Sequence, residues 1–387
     1  MNSRSDTDEL VYLDFNATTP VDPAVLEAML PYFVQVPGNP SSTHAWGRRA
    51  VAAVDRARGE IADAIGAGVG NVIFTSGATE SDNLAVLGSW AANASPSRRR
   101  VITVATEHKA VLEPVAALRE AGADVVILDV DLAGRFDLDG LSDALRVPTV
   151  LVSVMAANNE TGLLAPLRQV VDATHDAGAL AHTDAAQILG KAPFDVRDLE
   201  LDLVSLSAHK VYGPKGVGAL YVAPGTAVAP RVHGGGHERN LRSGTLNVPG
   251  IVGFGAAASL AAVRRERDME RIADLRDSLL EQLSRAIPGI RRNGAKSGVL
   301  ANTLNVRVPG VDAEDLLLAS PRLGASTGSA CTAGSPEPSH VLTAMSLSHE
   351  EARSSIRFSL GRTTKASEIP LAVAAIVEGY ERLGRMK

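Results

Sequence analysis

The stretch Val72-Ile73-Phe74-Thr75-Ser76-Gly77-Ala78-Thr79-Glu80-Ser81 passes from a β-branched, apolar run through Ser-Gly into a segment of helical character. A strand that feeds a helix across a tight turn is the repeating unit of an α/β sheet. Working outward, short apolar runs recur at 71–75, 101–105, 125–129, 149–155, 180–183, 203–207 and 218–222. Longer Ala-, Leu- and Arg-rich segments of helical period separate them, the pattern of strands linked by crossover helices. Most of the runs are continuous rather than alternating, as strands covered on both faces should be. Residues 250–283 read as one long or broken helix, in which Arg264-Arg265-Glu266-Arg267-Asp268 forms a solvated face. Beyond it the tempo changes, with strands expected at 304–308 and 355–359 and a final helix. The expectation is an α/β fold: a mostly parallel seven-stranded sheet flanked by helices in a large domain over 16–260, and a smaller α+β domain from 1–15 plus 261–387.

A length of 387 residues suits this division, because single cores stop growing near ~250–300 residues. Composition, 45% hydrophobic and 21% charged, is that of a soluble globular protein. A net charge of −6 argues against a general nucleic-acid-binding surface. The first residues, Met1-Asn2-Ser3-Arg4-Ser5-Asp6, carry no apolar signal-peptide core, and no apolar run reaches membrane-spanning length. A single cysteine can form no internal disulfide, which fits a reducing compartment. A cytoplasmic protein with no membrane partner is expected.

Candidate chemistry falls where the strands end, the usual ligand site of an open parallel sheet. Free amides at the helix start after Gly77, with the Thr79 hydroxyl, would hold a phosphate; equally, a Ser or Thr there can merely cap the helix. At 203–207 an apolar strand delivers Ser207, His209 and Lys210 to its exit, followed at once by Gly213-Pro214. Lysines are normally solvated charges, but a desolvated one at such an exit is fit to form a Schiff base with an aldehyde cofactor. Asp184 lies at the end of the 180–183 run, where it either caps the next helix or pairs with a pyridine nitrogen and keeps it protonated. Lysine, aspartate and phosphate-holding helix together describe pyridoxal phosphate. Cys331, the sole cysteine, sits in Ser326-Thr327-Gly328-Ser329-Ala330-Cys331-Thr332-Ala333-Gly334-Ser335-Pro336. That context is too small and polar for a buried hydrophobe and reads as a surface loop presenting a nucleophile.

Further motifs are Asp14-Phe15-Asn16-Ala17-Thr18, Thr106-Glu107-His108-Lys109, Asn158-Asn159-Glu160, Ser207-Ala208-His209-Lys210, Gly234-Gly235-Gly236-His237-Glu238-Arg239, Arg242-Ser243-Gly244-Thr245 and Arg357-Phe358-Ser359-Leu360-Gly361-Arg362. Through them, over nearly its whole length, the chain resembles the cysteine desulfurases of the NifS and IscS type. These belong to the class V aminotransferase family of fold-type I pyridoxal-phosphate enzymes. The resemblance implies conversion of L-cysteine to L-alanine, with sulfur left on Cys331 as a persulfide and passed to an acceptor.

Residue by residue, it implies that Lys210 holds the cofactor and shuttles the α-proton, Asp184 pairs with the ring nitrogen, and Gln187 donates to the ring hydroxyl. His108 would stack on the ring and assist proton transfer. Ala78, Thr79, Ser207 and His209 would hold the phosphate, joined by Thr245 of a second subunit in a homodimer. Asn159 and Arg357 would grip the substrate carboxylate, for which an arginine has the two-pronged geometry. His233 and His237 have a spacing that suggests a metal, but glycines separate them and the resemblance needs none.

Met155-Ala156-Ala157 carries alanines where family members often have bulkier side chains. The sequence ends at Met386-Lys387, without the long tail with which IscS-like housekeeping members dock their iron–sulfur scaffold. An iron–sulfur scaffold, a tRNA-thiolation partner and a DNA-sulfur-modification partner all stay open as acceptors, with direct nucleic-acid binding not expected. A selenocysteine lyase or another class V enzyme is the nearer alternative function, and a non-enzymatic sulfur carrier or scaffold protein the more distant one.

Overall fold

A computed structural model describes residues 10–328 and 337–384. Cys331 and most of its loop therefore lie outside the described residues. The strands are β1 (Val11–Tyr12), β2 (Val72–Thr75), β3 (Arg100–Val104), β4 (Asp124–Leu128), β5 (Thr149–Ser153), β6 (Leu180–Asp184), β7 (Leu203–Ser207), β8 (Gly218–Val222), β9 (Arg291–Arg292), β10 (Thr303–Arg307), β11 (Leu323–Gly324) and β12 (Ser355–Ser359).

Seven of them form the main sheet, in the order β2-β8-β7-β6-β5-β3-β4. All neighbours in it are parallel except that β8 runs antiparallel to both β2 and β7. Every residue of β5, β7 and β8 is buried, which explains why these strands are unbroken apolar or small-residue runs. At the edge, β4 exposes Asp124 and Ile127. The sequence expectation of a mostly parallel α/β sheet of seven strands is met, with β6 reaching one residue further than expected, to Asp184.

The 39-residue helix Val248–Ala286 is continuous. Asn247 caps it by accepting from the Gly250 amide, and Pro249 lies in the first turn, where no intrahelical donor is needed. A Cβ on Gly255 would come within 2.6 Å of the Ala57 Cα, so the absence of a side chain there lets the Ala45–Ala64 helix lie close against the long one. The long helix serves two apolar cores in turn: Ile251, Phe254, Ala257 and Ala261 pack with the main sheet. Ile272, Leu279 and Leu283 pack with β10, β12 and the N-terminal residues Val11 and Leu13. This second core underlies an antiparallel sheet of order β12-β10-β9, beside a parallel pair β1-β11. The N-terminal arm thus crosses from one core toward the other, with Asp14 bridging to Ser359 and residues 16–19 passing over the ends of β6 and β7. Among the described residues no helix is long and apolar enough to cross a membrane.

Candidate active site

Three strand exits converge on one cleft of about 580 Å³. At the end of β2 the chain turns through Ser76-Gly77 into the Ala78–Asn93 helix, whose Gly77 cap supplies no side-chain acceptor. The amides of its first turn therefore have no intrahelical partner and point out of the helix start. Ala78 and Thr79 line the cleft here, with Ser207 and His209 opposite. Burial and the positive charges of Lys210 and Lys215 push the His209 imidazole down to about 4. It is neutral at physiological pH, and its Nδ1 lies 3.2 Å from the Thr18 hydroxyl.

β7 ends at Ser207 and a single helical turn, Ala208–Lys210, swings Lys210 into the cleft. Its Nζ donates to the main-chain carbonyls of Asn16 at 2.5 Å and Ala17 at 2.9 Å. Asp184, the last residue of β6, accepts the Ala186 amide at 2.8 Å and lines the same space. His108 caps the Lys109–Glu120 helix, its Nδ1 accepting the Ala110 amide at 3.1 Å, so in the neutral ring the proton resides on Nε2. Burial lowers its basicity, and the Asp184 charge opposes that effect.

Arg357, on β12, reaches the cleft from the second core and is 3% exposed. It pairs with Asp14 at 2.7 Å and donates to the Asn159 carbonyl at 3.1 Å, while its buried Nε has no acceptor among the described residues. Asn159 lines the cleft beside it. Gln187 also lines the cleft, but its Nε2 already donates to the Asn16 carbonyl at 2.9 Å and its Oε1 accepts from Lys191 at 2.6 Å. Thr245 is exposed and does not line the cleft of its own chain. Met155 and Ala157 form part of the wall, whereas Ala156 is buried in the core.

The structure adds residues that the sequence reading did not assign. Asn16 accepts Lys191 at its side chain and donates to the Asn159 carbonyl and Thr303, joining the arm to both cores. Lys191 is buried beneath the cleft, and burial, reinforced by the charges of Lys210 and Arg357, pulls its pKa well below the usual lysine range. Lys215 stands at the rim. Glu80, also at the rim, is partly buried, which opposes ionisation. Hydrogen bonds from Arg242 at 2.8 Å and from the Ser76 amide outweigh this and hold its pKa below the usual value. His237 ties loops together, accepting the Gly244 amide and meeting the Ser41 hydroxyl at 3.1 Å. A separate, more apolar cavity of about 340 Å³ under Val341 and Met345 shares only Met155 with the cleft and is lined by none of Lys210, Asp184 or Arg357.

The donor set fits pyridoxal phosphate. Free helix amides and hydroxyls at one end suit a dianionic phosphate, a carboxylate suits a pyridinium nitrogen, and a lysine suits an aldehyde. The cleft is large enough for that group with a small amino acid.

A family model for aminotransferase class-V matches residues 11–371. A cysteine desulfurase IscS of Anaeromyxobacter sp. (strain Fw109-5) is 50% identical over 379 residues, which span 97% of this chain and 94% of that relative. A solved structure of a NifS-like protein superposes with a TM-score of 0.90 at 36% identity, covering 96% of this chain and 100% of that one. Another, of SspA in complex with cysteine, superposes with a TM-score of 0.79 at 36% identity over 90% of this chain and 98% of that one.

Proposed function

The chain belongs to the aminotransferase class-V family, and we propose that it is a pyridoxal-phosphate-dependent cysteine desulfurase. One observation carries this reading: Lys210, Asp184, the free start of the Ala78–Asn93 helix and Arg357 meet in a single cleft. When bound there, pyridoxal phosphate supplies an electron sink for bonds at the substrate's α-carbon. Lys210 would hold it and move the α-proton, Asp184 would pair with its ring nitrogen, and Thr79, Ser207 and His209 would hold its phosphate. His108 would lie against the ring and offer Nε2–H as a proton donor. The Arg357 guanidinium, with Asn159, binds the cysteine carboxylate and so orients the side-chain sulfur. The Cys331 thiolate attacks that sulfur; the carbon–sulfur bond breaks, a sulfur–sulfur bond forms, and the substrate thiol's proton ends on alanine.

The same reading makes the protein a homodimer in which Thr245 of one subunit completes the other's phosphate site. The division into 16–260 and 1–15 plus 261–387 is supported by the change of core along the long helix. The persulfide passes to a protein acceptor in a reducing compartment. The test is direct: purified protein loaded with pyridoxal phosphate should be yellow and release one alanine for each sulfur taken from L-cysteine. A colourless protein, or one that transaminates cysteine without releasing alanine, overturns the assignment.

A further inference from the structure

Behind Asp184 lies a second acid that the proposed reaction does not use. Asp82 projects from the Ala78–Asn93 helix, the same helix whose start faces the phosphate position, and is 0% exposed. Among the described residues neither of its oxygens has a hydrogen-bond partner. The nearest basic atom is His182 Nε2 at 3.6 Å, too far for a good hydrogen bond. His182 sits two residues before Asp184 on β6, so both side chains leave the same face of the sheet. Its ring is fixed from both sides, Nδ1 at 2.8 Å from the Ser153 hydroxyl on β5 and Nε2 at 3.1 Å from the Ser205 hydroxyl on β7.

A carboxylate with no donor in good hydrogen-bond geometry and only the Ser205 hydroxyl close enough to favour its charge, sealed in a low-dielectric interior beside a second carboxylate, gives that charge up. Burial first, then the charge of Asp184 and, less strongly, that of Glu107, push the Asp82 pKa well above the usual range, outweighing the opposing pull of the Ser205 hydroxyl. Burial likewise lowers His182 to about 3, so the ring is neutral and cannot supply a compensating charge. The titratable groups around Asp82 are thus Asp184, Glu107 and His182. Of the three acids, only Asp184 lines the cleft.

We propose that Asp82 and His182 are positioning residues of the cofactor site: together they set how strongly Asp184 holds the proton on the pyridine nitrogen. The inference rests on the pyridoxal-phosphate reading. An uncharged Asp82 adds no competing negative charge behind Asp184, and the serine-clamped imidazole fixes the polar surroundings of that carboxylate.

The test uses full-length wild type, Asp82→Asn, Asp82→Leu and His182→Gln, each loaded with pyridoxal phosphate isotopically labelled at its ring nitrogen. Visible absorption gives the pH midpoint of the bound cofactor, and nitrogen NMR reports the protonation of the ring. Asp82→Asn keeps a neutral polar group and should titrate with wild type. Asp82→Leu and His182→Gln should each move the midpoint by about one pH unit, a tenfold change in proton affinity, and displace the ring-nitrogen resonance. If Asp82→Leu does not fold, His182→Gln carries the comparison. Identical titrations for all four proteins reduce the pair to packing and overturn the inference. An Asp82→Asn shift as large as that of Asp82→Leu makes Asp82 an ionised acid and overturns it too. A wild type that takes up no cofactor is a different failure, that of the functional reading itself.

Discussion

Lys210 Nζ lies 2.5 Å from the Asn16 carbonyl and 2.9 Å from that of Ala17, so the N-terminal arm helps to hold the amine at the exit of β7. Anchored there, the amine stands at the strand exit where an aldehyde would meet it. Borohydride treatment of the yellow protein should therefore fix the cofactor on Lys210. Lys210→Ala should lose at least about a thousandfold in turnover, the scale of losing both attachment and proton transfer. Label recovered on Lys191, the buried lysine nearby, would assign the chemistry to the wrong amine here.

Arg357 is poised differently. Its ion pair with Asp14 at 2.7 Å leaves the buried Nε without an acceptor among the described residues, a donor for an incoming carboxylate. Arg357→Lys keeps the charge but loses the fork, and removing a charged hydrogen bond of about 1.5–3 kcal/mol corresponds to a rise in KM for cysteine of roughly 10- to 100-fold. The visible spectrum of the resting protein should not change. An unaltered KM would place the substrate carboxylate elsewhere.

Glu238 belongs to the glycine-rich motif, yet its contacts are structural. It accepts two hydrogen bonds from Arg58 at 2.8 Å each and the Phe74 amide at 2.7 Å, while the Arg58 guanidinium stacks 4.6 Å from the Phe74 ring centre. The clamp ties β2, which leads into the phosphate-facing helix, to the Ala45–Ala64 helix. Glu238→Ala leaves a mostly buried guanidinium unpaired and should cost about 3 kcal/mol in denaturant unfolding of the apoprotein. A stability within experimental error of wild type would show the clamp to be dispensable.

The main sheet was legible because strands covered on both faces need no polar alternation: β7 and β8 occupy the residues their apolar runs indicate. The two-residue strands β1, β9 and β11 were not, since two residues carry no period. The same limit applies to the site. Lys210 and Asp184 announce themselves at strand ends, whereas Asn16 and Lys191 gain meaning through partners far along the chain, Asn302 for Asn16 and Asn16 itself for Lys191. Asp82 reads as a polar residue within a helix until the fold turns it toward the sheet.

Glu107 gives a pH dependence with a definite sign. Its carboxyl is fully buried, with one oxygen accepting the Met155 amide at 2.6 Å and the other without a partner among the described residues. Burial first, with the Asp184 charge adding to it, raises its pKa well above the ordinary value of 4.5. In the native state it holds a proton that the unfolded chain has released, so its contribution to stability is full below about 4.5 and declines as pH rises toward the native pKa. Glu107→Gln keeps the shape and an acceptor for Met155 without titrating. Melting curves of apoprotein from pH 5 to 8 should fall less steeply for Glu107→Gln than for wild type, by about 1.4 kcal/mol for each unit of removed shift. Parallel curves would mean that Glu107 ionises in the folded protein at little cost.

Cys331 separates sulfur transfer from every other reaction this cleft could support. Attack on the substrate sulfur needs a thiolate, and the far less nucleophilic hydroxyl of serine cannot replace it. Lys210, Asp184 and Arg357 would be untouched in Cys331→Ser, so the variant should stay yellow and change its spectrum on binding L-cysteine. It should nevertheless release neither alanine nor sulfide at the wild-type rate. Because the chain has one cysteine, radiolabelled sulfur from L-cysteine should mark wild type once per subunit, in a form that thiol reductants remove, and leave the variant unlabelled. Full desulfurase activity in Cys331→Ser would take the thiol out of the mechanism and assign sulfur release to the cofactor cleft alone, the behaviour of a lyase.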